Sequence, residues 1–186
     1  MSNSEKEKMV SGELYKAFES ELVIERENAN KLFTKLNSLG KSSSKEREEI
    51  LKSLFGRCGK NMWVESPFFC DYGSLTSIGD NVFINFNCTI LDAAPVVIGN
   101  DVLFGPNVHL YSATHPTDPA IRAEGLEYAK PVNIHDNVVI GGSSVICPGV
   151  TVGSRSVIGA GSVVTKDIPP DVVAGGNPCK VIRQQA

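Results

Sequence analysis

A chain of 186 residues, 41% hydrophobic and 21% charged, has room for one well-cored globular domain and a small appendage. Its formal net charge of −3, without any Lys/Arg-rich block, argues against nucleic acid or an anionic membrane as the main partner. The polar start Met1–Val10 lacks the apolar core of a signal peptide, and no stretch approaches the roughly 20 apolar residues that cross a bilayer, so a cytoplasmic protein is expected.

Residues 1–57 carry most of the charge. From Ser11 to Asn37 the apolar positions Leu14, Phe18, Leu22, Ala29, Leu32, Phe33 and Leu36 follow a helical period, and Gly40 closes the segment. Ser43 followed by Glu46 reads as a capping box opening a second helix, with Ile50, Leu51, Leu54 and Phe55 on its apolar side and Gly56 at its end. Two amphipathic helices of this size bury little alone and need a surface to pack on.

Residues 58–186 change character to Val, Ile, Gly, Asn and Asp, and a six-residue repeat appears. Its leaders are Ile78, Ile84 and Ile90, then Ile98, Phe104 and Leu110, then Ile134, Ile140, Ile146, Val152, Ile158 and Val164. Ile90 and Ile98 are separated by two extra residues, which spaces the first two triplets by 20 rather than 18. Six residues suit one short strand and a sharp corner, and three such units close a triangular coil with the leaders inside. Gly, Asn and Asp then belong at the corners. Residues 116–133 break the period and carry three prolines, so they are expected to leave the coil as an excursion loop with His115 at its base.

The five cysteines, Cys58, Cys70, Cys88, Cys147 and Cys179, form no C-x-x-C pair and read as free thiols. With His109, His115 and His135 they give no zinc spacing, and no metal is expected to be required.

In this order, Ser11–Tyr15, Phe69–Gly73, Asn85–Asn87, Ile90–Asp92, Ala113–Pro116, Pro148–Gly153, Val157–Lys166 and Gly176–Arg183 resemble the hexapeptide-repeat acyltransferases, within them the maltose/galactoside O-acetyltransferase group. The resemblance implies a left-handed parallel β-helix and a homotrimer with active sites between subunits. It implies acetyl-CoA as cosubstrate and a sugar acceptor, here maltose- or glucose-like.

The resemblance also implies roles. His115 matches the catalytic general base, and imidazole suits the task because its ordinary pKa of about 6.5 leaves it largely neutral at cytosolic pH. Asn85, Asp71 and Glu127 match or resemble acceptor-side positions, although a corner asparagine and loop carboxylates would be ordinary in any β-helix. Gly142 marks the main-chain amide expected to meet the developing oxyanion. Ala160, Thr165, Lys166, Lys180 and Arg183 match cofactor contacts, against the plainer reading of a solvated basic face. His109, one hexad before His115, reads as structural, and His135 stands where hexads usually place glycine without a functional account.

Three acceptor-side positions depart from the galactoside branch: Ala17 and Ala93 replace acids and Phe83 replaces a tyrosine. Val139 stands in place of a tryptophan. A γ-carbonic anhydrase would need a closer histidine pair than His109 and His115. A serine acetyltransferase would carry a much larger helical domain. The alternative from another class is a non-catalytic β-helix serving as a structural or interaction subunit.

Overall fold

The computed structural model describes residues 3–185. Three parallel sheets wrap a triangular prism, one sheet per face. The first face stacks Arg57–Cys58, Thr76–Ile78, Val96–Ile98, Val132–Ile134 and Thr151–Val152, with an isolated bridge from Val152 to Ile168 below. The second stacks Trp63–Val64, Phe83–Ile84, Leu103–Phe104, Val139–Ile140, Val157–Ile158 and Val172–Gly175, and ends in the antiparallel strand Lys180–Gln184. The third stacks Phe68–Cys70, Cys88–Leu91, His109–Tyr111, Val145–Ile146 and Val163–Val164.

The hexad leaders are the core. Ile78, Ile84, Ile90, Leu110, Ile140, Ile146, Val152, Ile158 and Val164 are all 0% exposed. A coil above the recognised repeat, led by Cys58, Val64 and Cys70, escapes a reading built on Ile and Val because two of its leaders are cysteines. Pairings of Cys58 with Ile78 and Ile78 with Ile98 give the expected spacing of 20, and Ile134 with Val152 gives 18. Corners are made by residues at positive φ, among them Asn61, Asn81, Asn87, Asp101, Asn107 and Asn137, whose short polar side chains tolerate the left-handed conformation. Those side chains also bond along the stack, Asn61 Nδ2 to Asn81 Oδ1 at 3.0 Å and Asn81 Nδ2 to Asp101 Oδ1 at 2.9 Å.

The N-terminal segment is more broken than its periodicity suggests. Helix α1 (Glu5–Ser11) is closed by Gly12 at φ 83°, a short strand Tyr15–Lys16 follows, and α2 (Ser20–Ser38) starts only then. Gly12 provides the left-handed C-cap that ends α1, so Leu14 and Phe18 fall outside any helix and are exposed. Helix α3 (Ser44–Leu54) begins after Ser43, but the capping box does not form. Ser43 makes no side-chain cap bond, and Glu46 pairs instead with Lys35 of α2 at 2.9 Å.

Helices α2 and α3 cap the top of the prism. Ala29, Phe33, Leu36, Ile50, Leu51, Leu54 and Phe55 join the same core cluster as the leaders. The upper strand edges are also covered: Asn37 exchanges two hydrogen bonds with the Phe68 backbone, at 2.8 and 2.9 Å. Buried Arg47 donates to the carbonyls of Leu36, Leu39 and Val64. An open β-helix end is an unpaired edge, and these contacts remove it. Among the described residues, no helix is long and apolar enough to cross a membrane.

The excursion begins and ends earlier than expected and has structure of its own. The chain leaves the third face after Ser112 and rejoins the first at Val132, so Val132 and Asn133 belong to a coil strand rather than to the loop. Within it, Asp118 caps the short helix α4 (Pro119–Ala123) by accepting from the Ala120 amide at 2.8 Å. Leu126–Ala129 then pairs on one side with Ala113–Thr114 and on the other with Tyr15–Lys16. This small three-stranded sheet fastens the N-terminal arm to the loop.

Candidate active site

The corner between the third and first faces is where the coils are irregular. Above the excursion it carries two extra residues per coil, at Asp71–Tyr72–Gly73 and Asp92–Ala93–Ala94, and the excursion leaves from the same edge one coil lower. Three acidic side chains and His115 therefore converge from segments far apart in sequence.

Asp92 forms the floor. It is 0% exposed, and its Oδ1 accepts from the Tyr72 amide and its Oδ2 from the Thr76 hydroxyl, both at 2.9 Å. Burial raises its pKa, while hydrogen bonds from the Tyr72 and Gly73 amides and Thr76 oppose the rise. Asp71, half-buried above it, is pushed up to about 6, first by burial and then by the charge of Asp92, with Arg26 opposing and Glu127 adding to the rise. The Tyr72 hydroxyl accepts from Arg26 Nη1 at 2.6 Å, and Arg26 Nη2 donates to the Ala17 carbonyl at 2.6 Å. Burial also lifts Tyr72 to about 12, so its phenol stays protonated.

His115 stands exposed at the rim, its Nδ1 4.0 Å from Glu127 Oε1, within reach of that charge but beyond a direct hydrogen bond. The other carboxylate oxygen, Oε2, accepts from the Tyr15 hydroxyl at 3.1 Å. Ala17 and Ala93 are buried with Met9, Tyr15, Leu22, Tyr72, Ala94 and Ala129 in a separate apolar cluster under the N-terminal arm. Ala17 and Ala93 thus form part of an apolar wall here.

The remaining candidates lie elsewhere on the prism. Asn85, Gly142 and Ala160 stack along the corner between the second and third faces. Asn85 Oδ1 accepts from the Phe86 amide at 2.8 Å. In the next coil Pro106 has no amide hydrogen. Below it, the Gly141 and Ser143 amides donate to Ile158 and Pro106, whereas among the described residues no acceptor takes the Gly142 or Ala160 amide. Down this column the amide N–H is first bonded at Phe86, then missing at Pro106, then without an acceptor among the described residues at Gly142 and Ala160. Close stacking explains the glycines: a Cβ on Gly141 would meet the Ala160 nitrogen at 2.5 Å.

Thr165 and Lys166 are exposed on the same edge as His115, two coils lower, after Val163–Val164. Lys180 and Arg183 are exposed on the final strand Lys180–Gln184, whose Lys180 pairs with Gly175 near Ala160. One chain brings Asp71, Glu127 and His115 together and leaves Asn85, Gly142 and Ala160 on a different corner. His109 is not part of the cluster: its Nδ1 lies 3.0 Å from the Tyr111 hydroxyl on the third face. His135 is exposed at the corner between the first and second faces.

Sequence reasoning missed Asp92, Tyr15, Tyr72 and Arg26 as members of the site. Asp92 has a signal in hindsight, since it stands 21 residues after Asp71 in the extended corner of a 20-residue repeat. Tyr15 and Arg26 have none, because their partners are set by the packing of the N-terminal arm.

Two family models match the chain: the maltose acetyltransferase hexapeptide capping motif over residues 8–59 and the bacterial transferase hexapeptide repeat over residues 131–166. The galactoside O-acetyltransferase of Escherichia coli K12 is 45% identical over 178 residues, covering 96% of this chain and 88% of that protein. Among solved structures, a maltose O-acetyltransferase from Clostridium difficile 630 superposes with a TM-score of 0.98 at 48% identity, covering 100% of both chains. A galactoside acetyltransferase in complex with coenzyme A superposes with a TM-score of 0.95 at 42% identity, covering 100% of this chain and 92% of that one. With its capping motif, its hexapeptide coils and these relatives along its whole length, the chain belongs to the maltose/galactoside acetyltransferase group of the hexapeptide-repeat acetyltransferases, which share the left-handed parallel β-helix and use acetyl-CoA.

Proposed function

We propose that the protein transfers the acetyl group of acetyl-CoA to a hydroxyl of a maltose- or glucose-like sugar in a ternary complex, with His115 as general base. The observation that carries this reading is the convergence of His115, Glu127 and Asp71 at one corner, under an arm and loop that wall it. In the proposed step the imidazole takes the hydroxyl proton, the sugar oxygen attacks the thioester carbonyl, and the departing CoA sulfur recovers a proton from the imidazolium. Glu127 faces Nδ1, so it favours the imidazolium that forms. Asp71 supplies a carboxyl to the acceptor.

The oxyanion and the cofactor need donors that the His115 corner lacks. The free amides of Gly142 and Ala160 supply them on the other corner, with Asn85 above, and Lys180 and Arg183 near the lower end offer charge to the phosphates of CoA. This division supports a homotrimer in which the His115 edge of one subunit, including Thr165 and Lys166, faces the Gly142 corner of its neighbour. The apolar wall of Ala17 and Ala93 favours an acceptor that does not need two further carboxylates there, consistent with a glucose-type rather than galactoside sugar. A cytoplasmic location fits a reaction that consumes acetyl-CoA.

The test follows CoA thiol release from acetyl-CoA with maltose, glucose, a galactoside and N-acetylglucosamine in turn. Sugar-dependent release is expected, greatest for maltose or glucose, and His115→Ala should lower it about 10²- to 10⁴-fold. If none of these sugars supports release although CoA binds, the acceptor assignment is overturned. Failure to bind CoA would favour a non-catalytic β-helix subunit.

A further inference from the structure

Tyr15 lies about a hundred residues from the loop it touches, on an arm that precedes the coils. We infer that Tyr15 is a positioning residue for the reaction, acting through Glu127 on His115. This inference rests on the proposed role of His115.

The antiparallel pairing of Tyr15–Lys16 with Leu126–Ala129 sets Tyr15 directly opposite Glu127. Opposed residues on neighbouring strands share a face, which brings the phenol to the carboxylate. Tyr15 is 2% exposed, and a phenol so deeply buried requires a polar partner. Its hydroxyl donates to Glu127 Oε2 at 3.1 Å, and the other oxygen of the same carboxylate faces His115 Nδ1 at 4.0 Å. The two oxygens have divided tasks: one is anchored to the arm and the other is turned to the imidazole.

The anchor also explains why the arm pairs with the loop at all. Glu127 stands on an excursion of about twenty residues, and a carboxylate there would sample several rotamers. Fixing one oxygen selects the rotamer that directs the other at Nδ1, which favours the ring orientation leaving Nε2 toward the acceptor hydroxyl. Burial and the charge of Glu127 hold the phenol protonated, so it remains a donor throughout the neutral range. Other groups facing this carboxylate are Asp71 and Tyr72, with Arg26 between Tyr72 and the Ala17 carbonyl. None of them has a hydrogen bond to Glu127, so Tyr15 holds it without a second donor among the described residues.

The experiment is a double-mutant cycle on the full-length protein, reading kcat and the KM for acetyl-CoA. Tyr15→Phe keeps the ring in its apolar pocket and deletes only the donor. It is expected to lower kcat about five- to tenfold, the worth of one such hydrogen bond, with the KM for acetyl-CoA unchanged. In a Glu127→Ala background the same substitution should change kcat less than twofold, because the group it acts through is gone. An equal fall in both backgrounds would make Tyr15 a structural residue and overturn the inference, as would unchanged kcat in the single variant. His115→Ala separates the two levels. If it retains activity the base assignment fails, whereas an inactive His115→Ala beside an indifferent Tyr15→Phe sinks the Tyr15 role alone.

Discussion

The lower coils and the upper coils of this β-helix are built from the same hexads, yet only the upper ones hold the acidic site. Below the excursion, Ile134, Ile140, Ile146 and Val152 follow one another at strict six-residue intervals, and Ile146 pairs with Val164 in an uninterrupted stack. Above it, the corner after Cys70 and the corner after Ile90 each carry two additional residues, and the corner after Leu110 carries the loop. A six-residue unit is filled by one strand and one turn, and leaves no place for a buried carboxylate. Extra residues at a single corner let the backbone swing outward while the leaders stay in register, so polar groups can be added without opening the core. The acidic cluster sits where the period is violated, and regular core stacking sits where it is kept.

That contrast can be broken by substitution at either corner. Ile146→Ala, at the regular corner and fully buried, should lower unfolding free energy by about 2–5 kcal/mol in denaturant titration and leave the activity of the folded protein intact. A parallel loss of activity in folded protein would mean that the Ile146 layer also positions the nearby groups proposed to hold CoA. Asp92→Ala, at the extended corner, leaves the Tyr72 amide and Thr76 hydroxyl without their acceptor and should reduce stability by about 1–3 kcal/mol. It should also raise the KM for the sugar, since Asp71 is carried by the turn that Asp92 holds. A stability loss with sugar kinetics untouched would confine Asp92 to folding.

Asp71→Asn sharpens the contrast in the opposite direction. The folded state binds the Asp71 proton up to about pH 6, the unfolded state only to about 3.8, so ionisation across that window works against folding. Stability from this group is greatest below pH 3.8 and is lost as pH rises through 6. The variant should therefore be more stable than the parent at pH 7, by about 1–2 kcal/mol, and hold no such advantage near pH 3.5. Its activity should fall. Thermal melts at both pH values decide the first point, and a variant less stable than the parent at pH 7 would mean the carboxylate is held favourably.

Much of this was legible along the chain. Twelve leaders from Ile78 to Val164 were visible as a period because each hexad repeats the same local demand, one apolar residue inward, and most place a small or turn-forming residue after it. His115 was visible as a candidate from its motif and from its place at the break in that period. The coil of Cys58, Val64 and Cys70 was not, since its leaders lack the Ile/Val signature although Cys70 is nearly as buried as they are. The helix boundaries near Gly12 differ from the periodic pattern because Leu14 and Phe18 match a helical spacing by chance, while the signal that ends α1 ahead of them is a single glycine in the left-handed conformation.

The sequence by itself determined the hexapeptide β-helix, the presence of amphipathic helices ahead of it, the excursion and the acetyltransferase family, because these depend on short-range pattern and recurring motifs. The tertiary structure decided which of the candidate residues meet. Asp71, Asp92 and Glu127 are separated by whole coils in sequence, and come together only because every irregular corner falls on one edge. Asn85 and Gly142, equally marked in the sequence, are carried to another edge by the same winding. Tyr15 reaches Glu127 through a strand pairing between the two most distant irregular segments, a contact that no local period encodes.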